Sequence, residues 1–276
     1  PLLIRWAFSG SGPALMNQFR VFVLLEPGAK LELVEQFESN EATGHALNVM
    51  MQAELGQASS FSHTRAQSES DRAIVLTSTQ VRQGGSSRYV YRGFDLGGAL
   101  ARHEFDVRLG GEGASTDLSG AFVLDGKRHV DNHVSVDHAA PNCSSEQFFR
   151  GVLGGRSRGV FNGRALIRPG ADGSSVRQSN ANLLLSGLAE MDTKPELEIY
   201  ADEVEASHGA TVGQLDESAV FYLRTRGLSD SEARRMLTSA FCHAVTDRLD
   251  DRELASRLSA MLDRAMPDSS LQEEAL

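Results

Sequence analysis

Apolar and polar residues alternate in short runs through most of this chain, and the runs stop at glycine. Phe19, Val21, Val23 and Leu25 alternate, a Pro27-Gly28 turn follows, then Leu31, Leu33 and the 34–37 end. This is strand, turn, strand. The same unit returns at 47–50 before Gly56, at 73–77 before Gly84-Gly85, at 89–91, and at 105–109 before residues 110–113. From Ser229 the spacing changes to that of a helix. Ser229-Asp230-Ser231-Glu232 fits a capping box. Ala233, Met236, Leu237, Ala240, Phe241, Ala244, Val245 and Leu249 then form one stripe. A second helix is expected from Asp250 or Asp251, with Leu254, Leu258, Met261, Leu262 and Ala265 apolar, stopped by Pro267. The tail 268–276 is expected to fray. No helical pattern is expected before residue 229.

Gly28, Gly56, Gly84 and Gly113 lie 28, 28 and 29 residues apart. A period of this size is what stacked β rungs give. An open sheet of such length needs a covering layer that no helix before 229 supplies. A coil of strands removes most edges by turning each rung onto the next. The expected fold is therefore mainly β: a β-solenoid over residues 1–219, then a small C-terminal helical region over 220–276. Two short helices do not make a domain alone. They must dock onto the solenoid, onto another chain, or onto both.

Composition narrows the function classes. The 276 residues are 41% hydrophobic and 23% charged, as in a globular protein with material for a core. A net charge of -10 argues against nucleic acid, which needs clustered Lys and Arg, and against anionic membranes. Two cysteines, Cys143 and Cys242, give neither a disulfide framework nor zinc spacing, so both are expected reduced, in a cytoplasmic setting. The N-terminus lacks signal-peptide features and no apolar run reaches membrane-spanning length. A first residue of Pro1 is expected of a trimmed fragment, or of methionine removal.

The candidate chemistry is sparse. Gly120 to Lys127 fails as a phosphate loop: Asp125 stands at the second glycine position and Arg128 where Ser or Thr is needed. No Gly-x-Ser-x-Gly elbow supports acyl transfer. His129, Asp131, His133, Ser135 and Asp137 share one strand face, with Val130, Val134 and Val136 on the other. His129 and His133 lie ~13 Å apart at ~3.3 Å per residue and cannot chelate one ion together, whereas Asp131 and His133 can. A solvated or partner-facing polar stripe is the plain reading of that face. His208, among Ala206, Ser207 and Gly209, is a lone candidate ligand. A solenoid carbohydrate-active enzyme would draw on Asp95, Asp106, Asp117 or Asp131. Trp6, the single tryptophan, offers little for sugar stacking. An inert structural solenoid is the third reading.

Several segments together resemble the SufB/SufD family of iron–sulfur cluster assembly scaffolds. They are 131–138 (Asp-Asn-His-Val-Ser-Val-Asp-His), 141–147 (Pro-Asn-Cys-Ser-Ser-Glu-Gln), 157–163, 178–186, 195–202, 207–214 and 222–228. Ala181, where SufB-like chains carry cysteine, and Gly209, where they carry glutamate, point to the SufD branch. The resemblance implies a right-handed parallel β-helix with flanking helices. A further N-terminal helical region is normal in that branch, so this chain resembles a core plus C-terminal fragment. It also implies a non-catalytic subunit that pairs with a SufB-like subunit and docks a SufC-like ABC ATPase through the C-terminal helices, with Arg226, Met236 and Phe241 as candidate partner-binding residues. No cofactor is expected to be stably bound, only transient iron or a nascent cluster at the subunit interface, with His208 as a transient iron ligand. Neutral imidazole suits iron. Ala206 stands where many relatives carry cysteine, so no thiolate comes from that position. Cys143 is a conceivable substitute, with a buried structural thiol the plainer reading. A solenoid end normally covered by another subunit can pair with its own copy, so the isolated chain is expected to form a homodimer.

Overall fold

The structure is a computed structural model that describes residues 1–8, 15–39 and 44–267. The chain winds as a coil of strands that pair in two parallel sheets. One sheet runs, in spatial order, through β1 (Leu2–Phe8), β3 (Lys30–Ser39), β5 (Ser60–Ser68), β7 (Arg88–Asp95), β9 (Ser115–Leu124), β11 (Ser144–Leu153), β13 (Ser175–Leu184) and β15 (Glu205–Gly213). The other runs through β14 (Glu190–Ile199), β12 (Arg158–Ile167), β10 (His129–His138), β8 (Leu100–Leu109), β6 (Ile74–Gln83), β4 (His45–Leu55) and β2 (Leu15–Leu25). Every strand pairs with the strand two steps later. Partners lie from 26 residues apart (Ile74 with Leu100) to 32 (Arg158 with Glu190). A sandwich would pair neighbours in antiparallel hairpins. This order makes a β-solenoid, as the sequence predicts.

The glycine period marks one corner of the coil, but its members do two different jobs there. Each corner after an even-numbered strand has a residue at positive φ in the equivalent place: Gly28, Ala58, Ser86, Gly113, Asn142, Gly173 and Glu203, with Gly170 a second one in the longer corner after β12. Gly28 and Gly113 occupy that left-handed position. Gly56 and Gly84 sit two residues before it, where the backbone of the preceding rung comes close. A Cβ on Gly56 would stand 2.8 Å from the Leu25 carbonyl oxygen, and one on Gly84 3.0 Å from that of Leu55. Both glycines donate their N–H to those same oxygens. The following residue is small and packs inward at most corners: Ala29, Ser59, Ser87, Ala114, Cys143 and Ser174. Cys143, 1% exposed, is one step of that column.

Side chains alternate in and out, so the interior holds in-register columns. Phe37, Phe61, Tyr89, Tyr91, Phe122, Phe149 and Phe161 fill it. Midway it also holds ions. Arg65 bonds Asp95 at 2.7 Å, and His103 lies 3.0 Å from the same carboxylate. His63 joins Glu35 at 2.8 Å, and Trp6 Nε1 donates to Glu35 at 3.0 Å. Burial alone would raise the Asp95 carboxyl. Arg65 and His103 outweigh it and hold the group below its usual range.

Among the described residues three helices follow the last rung, one more than the sequence predicts. The additional helix, α1 (Glu217–Thr225), begins before residue 229. It is only nine residues long and buries Val220 while Phe221 and Tyr222 are exposed, so it carries no one-sided stripe. The second, α2 (Asp230–Thr246), has the expected capping box between Ser229 and Glu232. The third, α3 (Arg252–Ala265), is capped by Asp251 and ends before Pro267. The predicted stripe of α2 is rotated: Thr238 and Cys242 are buried, and Met236 is 50% exposed. This helix touches both the sheet and α3, so its covered arc differs from that of a helix lying on one flat surface. The tail 268–276 lies outside the described residues.

The helices cover the outer face of the β1–β15 sheet. Cys242, Val245, Leu258, Leu262 and Met266 pack on Ala66, Phe94, Ala121, Val123 and Val152. Arg248 fastens the layer: it reaches Glu146 at 2.6 Å and Asp117 at 3.6 Å, and its guanidinium lies 4.6 Å from the Phe148 ring centre.

Candidate functional site

His208 lies on β15, the last strand of its sheet, where every residue but one is exposed. The strand has a neighbour on one side only, β13, with His208 opposite Gln178 and Gly209 opposite Ser179. Register partners in a parallel ladder point the same way. Gln178 is buried and its neighbours Arg177 and Ser179 are not, so His208 heads an inward-facing column at the open end. Among the described residues no group of three or more His, Cys, Asp or Glu could hold a metal ion. His208 is therefore not part of a ready-made three-ligand site. Gly209 lies on the outward face, and nothing approaches a Cβ there within 4 Å, so a longer side chain would fit and this chain lacks it.

Below that open end, the interior is polar. Asn182 Nδ2 donates to Asn180 Oδ1 at 2.7 Å and to the Thr211 carbonyl at 3.1 Å, and Thr193 Oγ1 donates to Asn180 Oδ1 at 2.8 Å. These amides tie the terminal strand to the turn beneath it. Sequence reading missed them. Alternation at 178, 180 and 182 marks one face, but Ser179 and Ala181 between them do not say which face is inside.

The other predicted candidates scatter. Asp131 meets His133 at 2.8 Å and also pairs with Arg102, and Asp137 bonds Arg168 at 2.7 Å. That face is a ladder of ion pairs across strands. Asp95 is inside the solenoid, Asp117 lies under the helices on Arg92 and Arg248, and Asp106 and Asp131 face outward on the opposite sheet. No two of these form a facing carboxylate pair, so the carbohydrate-active reading loses its nominated residues. The turn at 125–128 joins β9 to β10 and opens no helix, unlike a phosphate loop. Burial raises the thiol pKa of Cys143 and pushes Cys242 up to about 12, which makes both poor thiolate donors.

On the helical layer, Met236 borders a shallow groove with Leu228, Glu232, Arg235, Ser239, Ala240, His243 and Asp263. Arg226 is exposed, stacks on Tyr222 with 5.3 Å to the ring centre, and bonds its hydroxyl at 3.1 Å. Phe241 differs: it is half-buried against the solenoid, 5.8 Å from the Arg150 guanidinium.

Residues 8–241 match the family described as SUF system FeS cluster assembly, SufBD core domain. The chain belongs to the SufBD family. It is 29% identical to the iron-sulfur cluster assembly protein SufD of Escherichia coli over 97% of this chain and 64% of that one. It is 31% identical to an iron-sulfur cluster assembly SufBD family protein of Synechocystis, over 88% of this chain and 56% of the relative. A Mycobacterium tuberculosis member of the family is 31% identical over 71% and 51%. The chain thus spans between half and two thirds of these SufBD relatives. No helix among the described residues is long and apolar enough to cross a membrane.

Proposed function

We propose that this protein is a SufD-type subunit of an iron–sulfur cluster assembly complex and has no catalytic activity of its own. The solenoid is a rigid platform. Its last turn, β14 and β15, meets a SufB-like subunit, and the groove along α2 with the α1 aromatics meets a SufC-like ABC ATPase. Iron, or a nascent cluster, is cargo rather than a resident cofactor. The carrying observation is that His208 stands exposed on a strand with a free edge and belongs to no group of three metal-ligating residues among the described residues. One imidazole does not hold iron, so the remaining ligands must come from whatever continues the solenoid.

Two experiments test this reading. His208→Ala in the reconstituted full-length complex is expected to reduce cluster delivery to an apo acceptor while the complex still assembles. Unchanged delivery would favour an inert scaffold. Met236→Asp is expected to weaken ATPase binding without unfolding the chain, because the side chain is half in solvent. Full-strength binding by this variant and by Arg226→Ala would refute the docking surface.

A further inference from the structure

Gln147, Gln178 and His208 occupy one register column: Gln147 is opposite Gln178, and Gln178 opposite His208. The two glutamines are 1% and 4% exposed, so the column faces the solenoid interior. Gln147 Nε2 donates to the Arg164 carbonyl at 3.5 Å. Gly163, on the facing strand, leaves room for the same amide: a Cβ there would stand 2.8 Å from Gln147 Oε1. Three buried amide atoms in the column have no partner among the described residues: Gln147 Oε1, Gln178 Nε2 and Gln178 Oε1. A buried polar atom without a partner costs about 1–3 kcal/mol. The neighbouring column shows how the interior avoids that cost, since Asn180, Asn182 and Thr193 satisfy one another.

We propose that Gln178 is a positioning residue for His208. Adjacent rungs of a parallel ladder lie about 4.8 Å apart, within reach of one side-chain amide to the next. The polarity of the column follows from its lower end. Gln147 has its nitrogen on Arg164, so its unpaired oxygen needs a donor, and the unpaired donor that the column offers is Gln178 Nε2, once the two amides turn towards each other. Gln178 then presents its oxygen upward. An oxygen accepts only from a protonated ring nitrogen, so the inward nitrogen of His208 carries the hydrogen. The outward nitrogen keeps its lone pair, directed at the open end. The partner of one imidazole nitrogen commonly decides which nitrogen binds a metal, and losing such a partner typically weakens metal affinity about 10–100-fold. The hydrogen bonds of this relay belong to the proposal, since the structure leaves both Gln178 amide atoms unpaired among the described residues. Their consequence for iron rests on the ligand role proposed for His208.

The test reads the tautomer directly. With ¹⁵N-labelled histidine and His208→Ala for assignment, long-range ¹H–¹⁵N spectra near neutral pH are expected to give a single neutral tautomer for His208. Gln178→Met keeps the side-chain length without the amide and is expected to give a mixture like that of free imidazole. Ser179→Ala, on the opposite face, is expected to leave the spectrum unchanged. A mixed tautomer in the unaltered chain, or one unmoved by Gln178→Met, overturns the proposal, and the first measurement decides even where the variant does not fold. Cobalt(II) titration of the assembled complex is expected to be about 10–100-fold weaker for Gln178→Met. A tautomer shift with unchanged cobalt affinity would remove the metal role of His208 and keep the hydrogen bond.

Discussion

His138 ends β10 with its ring fully inside the solenoid and Nε2 2.8 Å from Ser145 Oγ. Burial disfavours the imidazolium and lowers its pKa from 6.5 to about 4, with the nearby Asp137 carboxylate opposing only in part. In the unfolded chain the ring regains its ordinary pKa and binds a proton that the native state refuses. Stability from this group is therefore intact above pH 6.5 and lost progressively as pH falls towards 4, by about 3 kcal/mol in all. Chemical denaturation at pH 7 and pH 4.5 is expected to show a smaller gap for His138→Gln than for the unaltered chain. An equal gap would place the acid sensitivity elsewhere. The interior ions make a second case. Arg65→Met leaves the buried Asp95 with His103 as its remaining partner and is expected to cost about 3–5 kcal/mol, much of it regained in Arg65→Met with Asp95→Leu. None of this network was legible in the sequence. Arg65, Asp95 and His103 come from three different rungs, and an inward strand position looks the same as an outward one until register is known.

At the scale of elements, what the sequence reveals follows the strength of each periodic signal. Strands and corners recur every turn, so the glycine spacing exposed the solenoid even though Gly28 and Gly56 serve different purposes. The capping box of α2 and the stop at Pro267 are local chemistry and were readable as such. The nine residues of α1 have too few covered positions to leave a pattern, and the face of α2 depended on α3, which no local window contains. The candidate site divides the same way: His208 stood out in the sequence, whereas the amides beneath it did not. Packing of the helices also decides how their surface is to be probed. Phe241 belongs to the contact between α2 and the sheet, so Phe241→Asp is expected to lower the unfolding midpoint as well as any partner affinity. Removing residues 220–276 would uncover Phe94, Val123 and Val152, each now 0% exposed. That shortened chain is expected to bind an apolar dye and to aggregate on heating. If it stays as soluble and dye-free as the whole chain, the helices are not the cover that the packing describes.

For the whole molecule, a coil of strands leaves free edges only at its two ends, and both ends here expose apolar side chains. At the first, Leu2, Leu3, Leu15, Met16 and Phe19 are exposed. At the last, Ile199, Tyr200 and Val212 are 41%, 61% and 43% exposed. Soluble proteins blunt such edges with charge or proline, or cover them. The last turn has Lys194 and Glu198 on its outward face and Pro195 within β14, yet Ile199 and Val212 lie on strands with no neighbour on the far side among the described residues. Backbone groups of β15, and of β14 apart from Pro195, which has no N–H, can pair with another strand, and a second copy related by a two-fold axis offers the same surface. The isolated chain is therefore expected to form a dimer through β14 and β15, with Ile199→Lys and Val212→Lys shifting it to monomer in sedimentation velocity while leaving the melting curve near its original place. A SufB-like subunit, if it uses this edge as proposed, would compete with the second copy and dissolve the homodimer on mixing. Persistence of the dimer in both lysine variants would move self-association to the opposite end, where Phe19→Lys becomes the discriminating substitution. In that event the terminal rung, and His208 with it, would no longer have a claim to be the meeting point of subunits.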